Sequence, residues 1–504
     1  MASTFAVTRN HLIFGLCLPL AVLLGYMLAD IDDPASRLVV LIALGVLAAP
    51  VLMRWHHPLL ILSWNMAAQP ALPGSPHLWS LLAMLSLFFA VLNRSVNPGY
   101  QFAYVPQIVR PMLAFAIVVL VTMFLTGGIG LRIFGSSAVG GRGYFYIFAA
   151  IAGFFALSSV SIPQERVPLY IALFFLPGLT SMVSQLAGWL GPKARFVGLL
   201  FPVGMPSDEF VADPNLSGDM LRVGGLVGAS FALIFWLLAR FGTVGVFDLV
   251  RPWRLLLLLA GVVGLTLGGF RSAFLLTAGV FFILFSFEKL WRTRLSLVLL
   301  GLGLVAGIGL VGFADRLPLP VQRTLSFLPV KIDPVTRQMA EYSTEWRIEM
   351  WKSVLPEVPK YLLKGKGYSY SADDLFMTQM EGTRAGTVSY QAAAFAGDYH
   401  NGPLSVIIPF GAAGMLAFVW LLFAGSRFLY SVYREGPPEL RGINRFILAL
   451  FLARVLLFFF IFGSLTNDLF HFAGLLGFSV ALNRAAQRPL EIAEPDVARS
   501  EVAT

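Results

Sequence analysis

RLLLLLAGVVGLTLGGFRSAFLLTAGVFFILFSF, residues Arg254 to Phe287, contains two charged residues, Arg254 at its start and Arg271 in its middle. A helix crosses a bilayer with about 20 apolar residues, and about 17 suffice. The runs 254–270 and 272–288 therefore each read as a membrane span, joined at Gly268-Gly269-Phe270-Arg271 with almost no linker. That turn places a guanidinium between two spans, a position that default physics assigns to function rather than to stability. The competing interpretation is an arginine whose stem lies in lipid while its head reaches water. Gly268 and Gly269 carry no Cβ, so another group can approach the backbone closely there.

The rest of the chain follows the same pattern. Of 504 residues, 57% are hydrophobic and 12% charged, about half the charge that a soluble surface needs. The net charge of +9 sits between apolar runs, where it orients helices in a bilayer, so nucleic acid is rejected as a partner. Cys17 is the only cysteine, which excludes an internal disulfide and a cysteine-built zinc site.

Further spans are expected at 11–29, 38–53, 78–93, 110–127, 144–160, 167–187, 223–240, 295–313, 403–425, 444–463 and 467–483. The stretch 58–68 is too short to cross and carries Asn65, so it is expected to be re-entrant or interfacial. The fold class is an all-α polytopic membrane protein of roughly 12–14 transmembrane helices with one large loop subdomain. Its parts are a helical body over 1–313, the loop subdomain over 314–402, C-terminal spans over 403–484 and a tail over 485–504. Three connections rich in Arg and Lys belong to the cytoplasmic side: Arg240, Arg251 and Arg254; Lys289, Arg292 and Arg294; Arg427, Arg434, Arg441 and Arg445. The Arg271 turn, the 188–222 loop and the 314–402 segment then lie on the opposite face, and the tail is cytoplasmic.

The 314–402 segment balances ten Lys/Arg against ten Asp/Glu and carries Trp346, Trp351 and several tyrosines, which suits a small folded unit on the bilayer surface. Ser343 or Thr344 is expected to cap a helix there, with Ile348, Trp351 and Leu355 on one face and Pro356 and Pro359 limiting its length. Arg347 would lie in its first turn, where Glu345, Glu349 and Trp351 are close enough to hold it; by spacing alone a solvated arginine is the better reading. His400, in Asp398-Tyr399-His400-Asn401-Gly402-Pro403, stands where the chain re-enters the membrane and can take or position a proton near neutral pH. The alternative is an interfacial histidine bonded to a carbonyl. His11, His56, His57, His77 and His471 lack comparable context. The adjacent pair His56-His57 points in diverging directions on a helix, and Asp373-Asp374 suits a solvated turn, so no metal site is expected. Phosphate-cradling glycine loops and nucleophile elbows are also absent from the sequence.

Several of these segments resemble one family. His400-Asn401, followed nine residues later by Gly411-Ala412-Ala413-Gly414, is similar to the His-Asn/Ser/Gln-x9-Gly-x-x-Gly pattern of bacterial O-antigen ligases. Gly268 to Ala273 resembles the Gly/Ser-Arg-Gly/Ala turn of that family and of related polysaccharide polymerases. Thr344 to Trp351 resembles the Arg-x-x-x-Trp helix of their large periplasmic loop, and Gly365-Lys366-Gly367-Tyr368 its Gly-x-Gly sequel. Phe270 and Ala273 depart from the commonest choices. The resemblance spans about residues 250–480; the first 240 match only in hydropathy.

The resemblance implies a C-type glycosyltransferase architecture in the bacterial inner membrane with its active site facing the periplasm. It implies transfer of a glycan from an undecaprenyl-diphosphate-linked donor to an acceptor sugar hydroxyl, the acceptor being lipid A-core or another glycan. Arg271 and Arg347 would hold the diphosphate, His400 would act on the acceptor, and Asn401 and Trp351 would contact substrate. No cofactor and no metal would be needed, because the diphosphate is already a good leaving group. Other readings are a flippase or transporter of lipid-linked glycans, and a protein O-oligosaccharyltransferase.

Overall fold

The computed structural model describes residues 34–72, 74–96, 105–130, 140–201, 223–369 and 399–484, with 18–19, 21–23, 25–26, 102 and 397 beside them. Every regular element among these residues is helical. In chain order they are α1 Pro34–Trp64, α2 Leu78–Val96, α3 Pro106–Thr126, α4 Gly141–Ser158, α5 Val167–Phe175, α6 Ser181–Leu190, α7 Gly224–Val246, α8 Trp253–Leu267, α9 Arg271–Phe287 and α10 Arg294–Phe313. The loop subdomain supplies α11 Leu319–Thr324, α12 Pro334–Val354 and α13 Val358–Tyr361; α14 Gly402–Glu435, α15 Arg441–Phe460 and α16 Leu465–Asn483 complete the chain. Among the described residues nine helical stretches are long and apolar enough to cross a membrane, and α8 and α9 are apolar but shorter. The chain is an all-α, multi-pass membrane protein. The expected span at 11–29 and the tail at 485–504 lie outside the described residues.

Most span limits expected from hydropathy agree with these helices to within a few residues, because Gly and Pro punctuate them. Pro106 opens α3 and Gly127, at φ 78°, closes it. The stretch 58–68 is a correction: it is not a separate short segment, since residues 58–64 continue the preceding helix. The helix begun at Pro34 runs on through Pro50 and Pro58 to Trp64, a single helix of 31 residues. Asn65 then leaves it and donates from Nδ2 to the Phe174 carbonyl (2.7 Å), an oxygen beside the 3₁₀ turn Leu176–Thr180 that joins α5 to α6.

Two ends of the bundle can be told apart from their contacts. At one end Arg445 meets Glu288 (2.9 Å), Arg484 donates to the Ser159 carbonyl (2.6 Å) and the Ile162 N–H to Ala481 (2.9 Å). All three Arg/Lys-rich connections lie here. At the other end Gln69 N–H pairs with Leu200 (2.7 Å) and Arg271 meets the loop subdomain. The charge asymmetry read from the sequence thus corresponds to a physical asymmetry of the fold. α16 is central, with 72% of its span buried against α4, α14 and α15; α10 is peripheral, with 6%.

The helix expected in the loop subdomain starts early. Asp333 caps α12 by accepting the Thr336 N–H (2.8 Å), and Pro334 follows in the first turn, so the helix begins about ten residues before Ser343. Ser343 and Thr344 are mid-helix, and Thr344 Oγ1 bonds back to the Ala340 carbonyl (3.2 Å). Ile348 and Leu355 are exposed. The inward face is Thr336, Ala340, Ser343, Met350 and Val354, and the 4-3 rhythm of 336, 340, 343, 347, 350, 354 puts Arg347 on it. Met350 and Val354 form a cluster with Tyr399, Leu404 and Ile408, against which Trp346 and Trp351 pack.

α14 is broken one third of the way along. Pro409 lies inside it and Gly411 adopts φ 65°, ψ −166°, which interrupts the ladder. The loop fills the gap: Lys366 N–H donates to Ile408 (2.8 Å), Gly367 N–H to Pro409 (2.9 Å), and Ala412 N–H to Leu362 (2.7 Å). Irregular backbone at membrane depth is tolerated when its polar groups find such partners. A Cβ on Gly365 would strike the Pro409 carbonyl, and one on Gly367 would strike Thr126 Oγ1. The Gly-x-Gly of the loop and the Gly411-x-x-Gly414 of the span are two halves of one joint.

Candidate functional site

Arg271 opens α9 after the left-handed Gly269 (φ 74°) and the extended Phe270. The neighbouring glycine, Gly268, is approached by Val227, so these glycines serve the turn and the packing beneath it. The guanidinium donates to the Ala340 carbonyl (3.1 Å) and to Thr344 Oγ1 (3.2 Å), both on α12. Arg347 stands one turn beyond Thr344, its guanidinium carbon 5.6 Å from the centre of the Phe462 ring. His400 stacks on that same ring, centroids 5.2 Å apart at 26°, with Trp346 on another side (5.4 Å). The three residues singled out in the sequence are therefore gathered around one helix face and one phenylalanine.

His400 is buried and holds φ 46°, the left-handed region that a non-glycine residue occupies only when its surroundings impose it. Two neighbours impose it. Trp351 Nε1–H donates to the Tyr399 carbonyl (2.8 Å), and Asn401 Oδ1 accepts the Leu404 N–H (3.0 Å) as the cap of α14. Trp351 and Asn401, expected to contact substrate, hold the turn that presents His400. Asp398, Asp373 and Asp374 lie outside the described residues. Among the described residues no three His, Cys, Asp or Glu side chains converge as a metal site would require.

Phe270 and Ser272, the chain neighbours of Arg271, and Phe462 line a cavity of about 610 Å³ that extends into the bundle. Its far wall is aromatic: Trp64 stacks on Phe470 (5.1 Å, 18°), and Trp79 lies 4.4 Å from Phe470 and 6.0 Å from Tyr146. Arg454 and Asp468 face it as an ion pair at 3.9 Å, with His471 one turn beyond Asp468. His77 stands at its edge with Gln69 Nε2 at 3.1 Å from Nδ1. Burial, then the charge of Arg142, lowers its pKa to about 4. His56 and His57 take structural partners on different helices, Ser86 Oγ (2.7 Å) and the Leu157 carbonyl (2.8 Å), as their adjacency implied.

Arg454, Asp468 and His471 were not singled out from the sequence. Arg454 lies inside the expected span 444–463 and Asp468 inside 467–483, and intramembrane charges are a functional signal in their own right. What sequence could not supply was that they meet beside one cavity. Compared with known proteins, the chain matches no family model and no curated sequence.

Proposed function

We propose that the protein is a membrane glycosyltransferase of the O-antigen ligase or polysaccharide polymerase type. It would transfer a glycan from an undecaprenyl-diphosphate-linked donor to an acceptor sugar hydroxyl at the periplasmic face of the bacterial inner membrane. One observation carries this reading: Arg271, Arg347 and His400, distant in sequence, gather along α12 and around Phe462, and Phe462 and the chain neighbours of Arg271 line a cavity in the bundle.

Two guanidiniums suit a diphosphate, since each presents paired N–H donors and stays charged beside lipid. As the bond from the anomeric carbon to the diphosphate oxygen breaks, negative charge grows on the leaving group and the arginines stabilise it. The acceptor oxygen attacks the opposite face of that carbon, its proton passes to the neutral imidazole of His400, and the configuration inverts. The products are the lengthened glycan, undecaprenyl diphosphate and a protonated histidine that then loses its proton to water.

The test is transfer by purified protein from a defined undecaprenyl-diphosphate glycan. His400→Ala should leave donor binding intact and lower turnover by about 10²–10⁴-fold. Arg271→Ala and Arg347→Ala should weaken both donor binding and turnover, with lysine rescuing only in part. Near-normal transfer by folded His400→Ala protein refutes the assignment. A second reading, transport of the lipid-linked glycan, draws on the broken α14 and the Arg454–Asp468 pair within the bundle, features common in transporters. Flipping of a labelled lipid-linked glycan in proteoliposomes, without any transfer product, would favour it.

A further inference from the structure

We infer that the cavity behind the Arg271–His400 cluster is a saccharide subsite, holding a pyranose ring between the aromatic wall and the Arg454–Asp468 pair; this rests on the glycan-transfer reading. Phe470 and Tyr146 offer partly accessible rings to the cavity, backed by the buried Trp64 and Trp79, and aromatic faces carry the negative potential that the C–H face of a sugar ring prefers. The same cavity is lined by hydrogen-bonding groups of both signs. Asp468 Oδ2 accepts the Ser464 N–H (2.9 Å), which fixes the carboxylate, while Oδ1 stands 3.9 Å from Arg454. At that separation the pair is drawn apart rather than closed on itself, and Arg454 Nε is buried with no hydrogen-bond partner among the described residues. A ring hydroxyl, which donates and accepts at once, satisfies a carboxylate and a guanidinium together. The side chain of Asn467, exposed to the cavity, adds a donor and an acceptor beside them.

A charged pair inside a membrane bundle is costly unless something there uses it, and a purely structural pair would close to hydrogen-bond distance. The cavity volume lies in the range that encloses small ligands. Phe462, which lines the cavity, also carries the Arg347 and His400 contacts, and Phe270 and Ser272 flank Arg271, so a bound ring lies near the arginines that would hold a diphosphate.

The experiment measures thermal midpoints of the full chain in lipid nanodiscs with two kinds of probe. Free glucose, galactose, N-acetylglucosamine and rhamnose are tested at about 100 mM, enough to fill a site of millimolar Kd. Undecaprenyl diphosphate without sugar is tested separately. At least one sugar should raise the midpoint by about 2 °C or more. The rise should vanish in Asp468→Asn, in Trp79→Leu and in the milder Asn467→Leu, which fills the cavity without touching the pair. The shift given by undecaprenyl diphosphate should be unchanged in all three. If the ring belongs to the donor, the sugar competes with undecaprenyl-diphosphate-linked N-acetylglucosamine; if to the acceptor, both bind together. No shift with any sugar, or a shift that persists in all three variants, overturns the inference. Sugar binding without undecaprenyl diphosphate binding leaves this inference standing and defeats the transfer reading. The reverse result does the opposite.

Discussion

Replacing Trp351 by Phe keeps most of the ring that packs on Met350 and Val354 and deletes one atom group, the indole N–H that donates to the Tyr399 carbonyl at 2.8 Å. Tyr399 is 3% exposed, so water cannot replace the lost donor. A buried carbonyl left without its partner costs about 1–3 kcal/mol. That cost falls on the turn which holds His400 at φ 46°, the strained position in the site. At about 1.4 kcal/mol per factor of ten, the productive turn loses roughly one to two orders of magnitude in occupancy, and transfer falls with it. Donor binding should not change, because Arg271 and Arg347 are held by other contacts. The assay is a double-mutant cycle in transfer rate with His400→Ala. If Trp351 acts through His400, Trp351→Phe has no further effect once the imidazole is gone. An equal loss in both backgrounds, or a weakened donor Kd, refutes the positioning role and makes Trp351 a packing or substrate-binding residue.

Orientation is open to chemical labelling: in a Cys17→Ser background, a cysteine at exposed Leu363 should react with an impermeant maleimide in intact spheroplasts, and one at Glu439 only after lysis. Labelling of both in intact cells would remove the proposed active-site face. Stability should depend on acid through His77, whose pKa falls from 6.5 unfolded to about 4 folded. The unfolded chain binds the extra proton between those values, so stability is complete above pH 6.5 and is lost as the pH falls towards 4, by about 3 kcal/mol at 1.36 kcal/mol per pH unit. His77→Gln should flatten that slope in thermal midpoints taken across the window, and an unchanged slope would assign it to other groups. Asp333→Ala should lower stability by about 1 kcal/mol through the lost cap of α12, read as a lower midpoint with little change in transfer if the capped end is remote from the site.

The spans were legible because lipid imposes one requirement, apolar length, that survives without knowledge of any neighbour. Arg271 and His400 were legible for a related reason: each is a polar residue placed where the bilayer makes polar residues expensive. Arg347 was harder, since a charged residue on a charged helix carries no such signal. Its inward face is nevertheless written in the spacing of Thr336, Ala340, Ser343, Met350 and Val354, which a start at Asp333-Pro334 would have revealed. The continuation of α1 through Pro58 was hidden because proline normally ends a helix, and here the bundle around it outweighs that preference. The Arg454–Asp468 pair was hidden differently. Each charge was visible within an expected span, but their meeting depends on how α15 and α16 pack.

The joint between the loop and α14 bears on the order in which the molecule can be assembled. The segment carrying Leu362, Lys366 and Gly367 leaves the ribosome before α14 does, so it is already made when Ile408, Pro409 and Ala412 arrive. Until the two meet, a span in transit carries two unanswered carbonyls and one unanswered amide, each costing several kcal/mol in hydrocarbon. Insertion of that span and folding of the loop are thus a single event. Grafting a foreign loop between α10 and α14 should yield poorly inserted protein unless the Tyr361–Tyr368 stretch is carried along with its span.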